Sequence, residues 1–262
     1  MTTTLALANQ KGGVAKTTSV ATLGAALAEM GHSVLLVDLD PQASLTFSLG
    51  IDPEDLETSI HDVMVGDQPA SEVLVGTEDG PDLLPASITL ARVETEFAQV
   101  AGRERLVATI LDTLAAQGID YDWVLLDCPP TLGVLTVAAL TAADGLVIPL
   151  QCETLAHRGV GQLLDTVHDV REHTNPGLEV WGVLPTMFDG RTTHARRVLE
   201  TIAETYDLHV VTPPIPKTIK FAEAPAGGRS ILTTARSSKG ATAYREVAQW
   251  LVKRAATGPG SR

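Results

Sequence analysis

Cysteine is scarce: the 262 residues include only Cys128 and Cys152. Far apart in sequence, they argue against a disulfide framework and for a reducing compartment. No apolar run approaches the roughly 20 residues needed to cross a bilayer. The N-terminus carries neither a basic region nor a cleavage site, so secretion is not expected and a cytoplasmic protein is. Internal repeats and low-complexity linkers are missing as well. Aromatic residues make up 4% of the chain, too few to interleave with its basic residues as a base-stacking surface for single strands would require.

Positive charge is short in one half only. Residues 1–130 hold 5 Lys/Arg against 20 Asp/Glu, whereas from Thr186 onward 12 Lys/Arg stand against 6 Asp/Glu, within a total of −13. Such asymmetry points to a basic binding face, although charge alone does not separate that from scattered solvated side chains. A hydrophobic content of 44% over this length fits one large α/β domain. Residues 1–254 are read as that domain and 255–262 as a flexible polar tail.

What is present is concentrated near the start. Leu5-Ala-Leu-Ala8 reads as a buried strand, a glycine-bearing turn follows, and 17–30 reads as a helix ending at Gly31. A strand, tight turn and helix aim backbone N–H groups and a helix N-terminus at one point, which favours phosphate. Lys16 and Thr17 add a cation for outer phosphates and a hydroxyl for Mg²⁺. The usual pattern G-x-x-x-x-G-K-[ST] nevertheless fails at Gln10 and Ala15, and Lys11 is an extra cation inside the loop. Alanine at a position needing positive φ costs about 1 kcal/mol. Ala15 is therefore expected in ordinary helical or bridge backbone.

Further along, 33–38 and 122–127 are short apolar runs, each ending in an acid, Asp38 and Asp127. Acids at the ends of parallel strands fall in the crevice where open α/β sheets bind ligands. Additional strands are expected at 82–84, 146–150, 179–184 and 209–211. Helices are expected at 134–143, 155–173, 192–206 and 239–254, with 94–117 largely helical. This alternation predicts a doubly wound, mostly parallel sheet flanked by helices.

Lys11-Gly-Gly-Val-Ala-Lys-Thr-Thr18 resembles the deviant Walker A motif of the ParA/MinD ATPases, a branch of the P-loop NTPases. Asp38-Leu-Asp-Pro-Gln42 is similar to that group's second signature and Asp127-Cys-Pro-Pro-Thr-Leu-Gly133 to its Walker B segment. Pro149-Leu-Gln-Cys-Glu153, Thr186-Met-Phe-Asp-Gly-Arg-Thr192 and the 215–225 segment sharpen the likeness to the ParA/Soj branch. The resemblance runs from about residue 3 to about residue 253, in the short form without an N-terminal helix-turn-helix domain.

The resemblance implies an ATPase that uses ATP and Mg²⁺. Residues Lys11, Gly12, Gly13, Val14, Ala15, Lys16, Thr17 and Thr18 would cradle the phosphates, with Thr18 on the α-phosphate. Thr17, Asp38 and Asp127 would serve the metal, the two aspartates through water. Asp40 would position the attacking water, though capping of the following segment is an alternative for either Asp38 or Asp40. Lys11 would reach the phosphates of a second subunit, as an arginine finger does, and Gly12 would leave room for that facing loop. Pro216 and Thr218 would stand beside adenine, since no Asn-Lys-x-Asp guanine motif occurs. Arg191, Arg196, Arg197, Lys217, Lys220 and Arg229 would touch DNA phosphates without reading sequence.

The implied partners are a homodimer copy when ATP is bound, nonspecific double-stranded DNA and a ParB-type centromere-binding protein, with no membrane and a nucleoid-associated location. Hydrolysis, slow alone, would release the DNA. A MinD-like membrane-cycling ATPase is the alternative, and an enzyme that phosphorylates or amidates a small molecule is a third class.

Overall fold

The structure, a computed structural model, describes residues 2–153 and 156–257. The apolar runs form a seven-stranded sheet. Its strands are β1 (Thr3–Leu7), β2 (Val34–Asp38), β3 (Val75–Gly76), β4 (Asp82–Leu84), β5 (Trp123–Asp127), β6 (Gly145–Gln151) and β7 (Glu179–Thr186). They lie in the order β3-β4-β2-β5-β1-β6-β7, and every pairing except β3 with β4 is parallel. The doubly wound expectation holds. The run at 209–211 contributes only an isolated bridge, Val210 to Val183.

Twelve α-helices accompany these strands among the described residues, the last four of them following β7. They are α1 (Lys16–Glu29), α2 (Ser44–Ser48), α3 (Ile60–Val65), α4 (Ala70–Val73), α5 (Val93–Glu96), α6 (Leu106–Ala116), α7 (Val134–Ala142), α8 (Ala156–His173), α9 (Thr193–Tyr206), α10 (Lys220–Glu223), α11 (Ile231–Thr234) and α12 (Lys239–Ala256). The stretch 94–117, expected to be largely helical, is broken: Gly102 at φ 80° separates α5 from α6 and leads into a 3₁₀ turn over Arg103–Arg105. The closing helix continues past residue 254 to Ala256. Leu155, the expected start of α8, and residues 258–262 of the expected tail lie outside the described residues.

Side chains leave each strand alternately to the two faces. Ala6, Val37, Leu126 and Ile148 pack with α6, α7 and α8 through Ile110, Leu135, Leu163 and Val167. Leu5, Leu7, Leu36 and Leu125 pack on the other face with α1 and α12 through Leu23, Leu27, Tyr244, Val247 and Leu251. Burial on both faces explains why the strands read as continuous apolar runs rather than alternating ones. The last helix thus spends its apolar stripe on the core.

Register fixes where chemistry can occur. Asp127 at the end of β5 is the partner of Asp38 on β2 and of Leu7 on β1. Three neighbouring strands therefore end together, beneath the loop that leads from β1 into α1.

Candidate active site

The loop after β1 is stapled from both sides. Asn9, buried, donates its Nδ2 to the Pro149 carbonyl of β6 at 2.8 Å and accepts the Lys11 N–H on Oδ1 at 3.0 Å. Thr186, at the end of β7 and fully buried, donates its hydroxyl to the Val14 carbonyl at 2.9 Å. Neither staple has a periodic signature in sequence. Thr186 opens a quoted motif and Asn9 falls between two quoted stretches, yet their roles emerge only from the fold.

Between the staples the backbone turns through positive φ twice, at Gly13 (73°) and at Ala15 (64°). The expectation for Ala15 is overturned: it sits in left-handed backbone as the residue capping α1. Its carbonyl accepts the Ser19 N–H at 3.0 Å, so the loop geometry and helix entry together impose the conformation against its Cβ. Gly12 faces open space on this chain, where nothing lies within 4 Å of an added Cβ, so any crowding there must come from a second molecule.

This geometry leaves the amides from Gly12 to Thr18 without an acceptor among the described residues. Convergent free N–H groups at the N-terminus of a long helix form an anion cradle. Lys16 is 7% exposed and has no ion pair among the described residues, which fits a lysine kept for a polyanion. Together with Gly12, Gly13, Ala15, Thr17, Thr18 and Asp40 it lines a cleft of about 660 Å³. The far wall comes from α2 (Phe47 and Ser48) and from the 215–231 segment, including Lys217, Thr218 and Arg229. Phe47, 58% exposed at the cleft, was not singled out by the sequence. Pro216 bridges to Phe188 behind that wall, next to Met187, whose φ of 47° is another strained position facing the cleft.

Two aspartates lie under the cradle with no exposure. Asp127 has no hydrogen-bond partner on either carboxylate oxygen; Thr17 lies close enough to influence it without bonding geometry. Burial above all, and then the negative charge of Asp38, push its carboxyl well above the usual range, while Thr17 and Lys16 pull it partly back. An orphaned buried carboxylate beside a second one is what a divalent cation would complete. Asp38 is pushed up to about 6, chiefly by burial, against the hydrogen bonds it accepts from Thr46 and from the Asp40 N–H. Asp40 itself opens to the cleft and its Oδ1 accepts the Gln42 N–H at 3.0 Å.

Lys11 turns away from this cradle. Its ammonium lies 2.5 Å from the Glu153 carboxylate in the segment after β6. The basic residues expected on DNA divide in two. Arg191 makes a two-pronged pair with Asp189, both contacts at 2.9 Å, which together with Lys217 nearby holds that carboxyl down at about 2. Lys220 pairs with Glu223 at 2.8 Å, and Arg229 with Glu78 and Asp79. Arg196 and Arg197 on α9, and Lys217, have no ion pair among the described residues.

Comparison with known proteins agrees with this geometry. The AAA domain family matches residues 2–180. Over 94% of its length the chain is 41% identical to the sporulation initiation inhibitor protein Soj of Bacillus subtilis, covering 96% of that protein. It is also 41% identical to the chromosome partitioning protein ParA of Caulobacter vibrioides, over 95% of this chain and 94% of the relative. Among solved structures, one from Mycobacterium smegmatis described as cobyrinic acid a,c-diamide synthase with bound ADP and magnesium is 53% identical, with a TM-score of 0.87 over 98% of this chain and 97% of that one.

Proposed function

The chain belongs to the ParA/Soj family of partitioning ATPases, and from that premise we propose that it works as an ATP-driven DNA-segregation switch. It is an ATPase with ATP and Mg²⁺ as its cofactors. The observation that carries the reading is the run of acceptor-free amides from Gly12 to Thr18 around buried Lys16, directly above the orphaned carboxylate of Asp127.

In this reading the amides and Lys16 hold the phosphates, and Thr18 contacts the innermost one. Thr17 supplies a hydroxyl to Mg²⁺, with Asp127 and Asp38 behind it. Mg²⁺ supplies charge neutralisation at the outer phosphates. Asp40, open to the cleft, orients the attacking water, and Pro216 and Thr218 flank the base.

ATP brings two copies together, and Lys11 leaves Glu153 for the phosphates of the other copy. The dimer then holds nonspecific duplex DNA through basic residues around α9 and the 215–231 segment, and a ParB-type partner speeds the hydrolysis that releases it. Lys11→Ala is expected to bind ATP yet stay monomeric in size-exclusion light scattering; normal ATP-dependent dimers would remove the trans role.

A diamide synthase description on a 53% identical structure favours a second reading, ATP-dependent amidation of a small carboxylic acid. A glutamine-using version needs a reactive thiolate. Burial lifts the Cys128 thiol far above its ordinary value and raises half-buried Cys152 to about 11. A membrane-cycling role finds little support in α12, whose stripe of Tyr244, Val247, Ala248 and Leu251 is buried. The decisive experiment is retention on nonspecific duplex DNA, expected with ATP and Mg²⁺, absent with ADP and weakened by salt. DNA-independent ATP turnover that instead requires glutamine and a corrinoid acid would replace this reading with the amidating one.

A further inference from the structure

The side chain of Thr46 has one hydroxyl proton and two neighbours. The Ala86 N–H, just past β4, lies 2.9 Å from Thr46 Oγ1 and can only donate to it. The Thr46 proton is therefore directed to its other neighbour, Asp38 Oδ2, at 2.8 Å. The Thr46 N–H donates to the same oxygen at 2.9 Å, and the Asp40 N–H takes the other oxygen at 3.1 Å. Thr46 and Asp38 are both fully buried, so no water competes for these bonds. Three donors thus fix the Asp38 carboxylate in one orientation, beside Asp127 across the β2–β5 pair.

The same clip holds the cleft wall. Helix α2 has five residues, too few to be stable alone, and its N-terminal neighbour Ala43 is in left-handed backbone. Its residues Ser44, Phe47 and Ser48 face the cleft while Thr46 faces Asp38.

We propose that Thr46 is a positioning residue of this ATPase: by clipping Asp38 to α2 and to the strand end at Ala86, it sets the carboxylate geometry on which Mg²⁺ binding depends. The inference rests on the Mg²⁺·ATP reading above. It assigns no contact between Thr46 and the nucleotide, so loss of its hydroxyl acts on the metal-dependent part of binding and spares the rest.

Equilibrium binding of a fluorescent, slowly hydrolysed ATP analogue to the full chain, titrated with Mg²⁺ and repeated in EDTA, tests this. Thr46→Val keeps shape and backbone N–H but removes the hydroxyl. It is expected to need about tenfold more Mg²⁺ for half-maximal binding, the scale of one hydrogen bond to a charged group. Thr46→Ser is expected to follow the parent, and EDTA binding to be equal in all three. Parental Mg²⁺ dependence in folded Thr46→Val overturns the proposal, as does equal weakening in EDTA, which marks a merely structural role. A rise in the Mg²⁺ requirement of Thr46→Ser as large as in the valine variant overturns it too. Should Thr46→Val fail to fold, Thr46→Ala carries the same readout. A parent protein with no Mg²⁺-dependent binding removes the ATPase reading itself, a result distinct from unchanged variants.

Discussion

Ala15 and Ala43 precede α1 and α2 with φ of 64° and 51°, backbone that a Cβ resists. Both positions are dictated from outside: Ala15 by the loop that turns its amides inward, Ala43 by the turn that brings Thr46 to Asp38. Replacing either with glycine relieves the clash and is expected to stabilise the protein by about 1 kcal/mol, a rise in Tm of roughly 2–4 °C at this chain length. Calorimetry of Ala15→Gly, Ala43→Gly and the double variant checks this, with the two gains adding because the sites share no partner. Asp127 carries the opposite tension, an ionisable group buried without partners. Asp127→Asn is expected to stabilise the nucleotide-free protein by on the order of 1–3 kcal/mol while abolishing Mg²⁺-dependent nucleotide binding. The sign of its pH dependence follows from a raised carboxyl: the native state holds a proton that the unfolded state has released. That contribution is whole below pH 3.8 and is lost as pH rises, for Asp38 through about 6, and the raised carboxyl of Asp127 acts in the same direction. Without nucleotide, urea midpoints of the parent should therefore fall as pH rises from about 4 through about 6, and Asp127→Asn should flatten that slope.

At the level of elements, legibility followed length and burial. Strands at 33–38, 122–127, 146–150 and 179–184 were visible because burial on both faces left unbroken apolar runs. The acids at two of them, read as cleft residues, do end together. Two-residue β3, four-residue α4 and five-residue α2 leave no period to read, since tertiary contacts rather than local pattern hold them. Gly102 broke a stretch whose apolar spacing suggested continuity. In the site, Lys16, Thr17 and Asp40, named from sequence, line the cleft and Asp38 and Asp127 lie buried beneath it, whereas Asn9, Thr46 and Thr186 act by stapling backbone that sequence does not bring near. The helix α9 offers a test at this scale. Val198, Leu199 and Tyr206 pack inward and Ile202 is buried, so Arg196 and Arg197 are left on the exposed side. Reversing both, Arg196→Glu with Arg197→Glu, is expected to weaken DNA retention at least tenfold with ATP-dependent dimerisation intact. DNA electrophoretic mobility shifts and light scattering on the same samples separate the two effects.

For the whole molecule, the sheet order turns the lopsided charge of the chain into a spatial one. The acid-rich stretches around β2, β3 and β4 occupy one edge and β7, which leads into α9 with Arg196 and Arg197, lies at the other, whereas Arg229 reaches back to Glu78 and Asp79 between β3 and β4. On the proposed reading, a protein of net charge −13 would approach DNA by one side while the far side repels it. How strongly depends on which cations are free. Arg191, Lys220 and Arg229 already neutralise acids of the same chain. Exchanging those acids for phosphate yields little, because each freed carboxylate then faces the DNA uncompensated. Counterion release should accordingly come from Arg196, Arg197 and Lys217, which have no such pairs among the described residues, counted once per subunit. For a dimer, the slope of log affinity for duplex DNA against log salt concentration is expected near about −5, following roughly 0.9 per phosphate neutralised. Engagement of all the expected basic residues would give a slope about twice as steep. Titrations across salt with the ATP-bound dimer distinguish the two, and the steep outcome would mean that the three ion pairs open when DNA arrives.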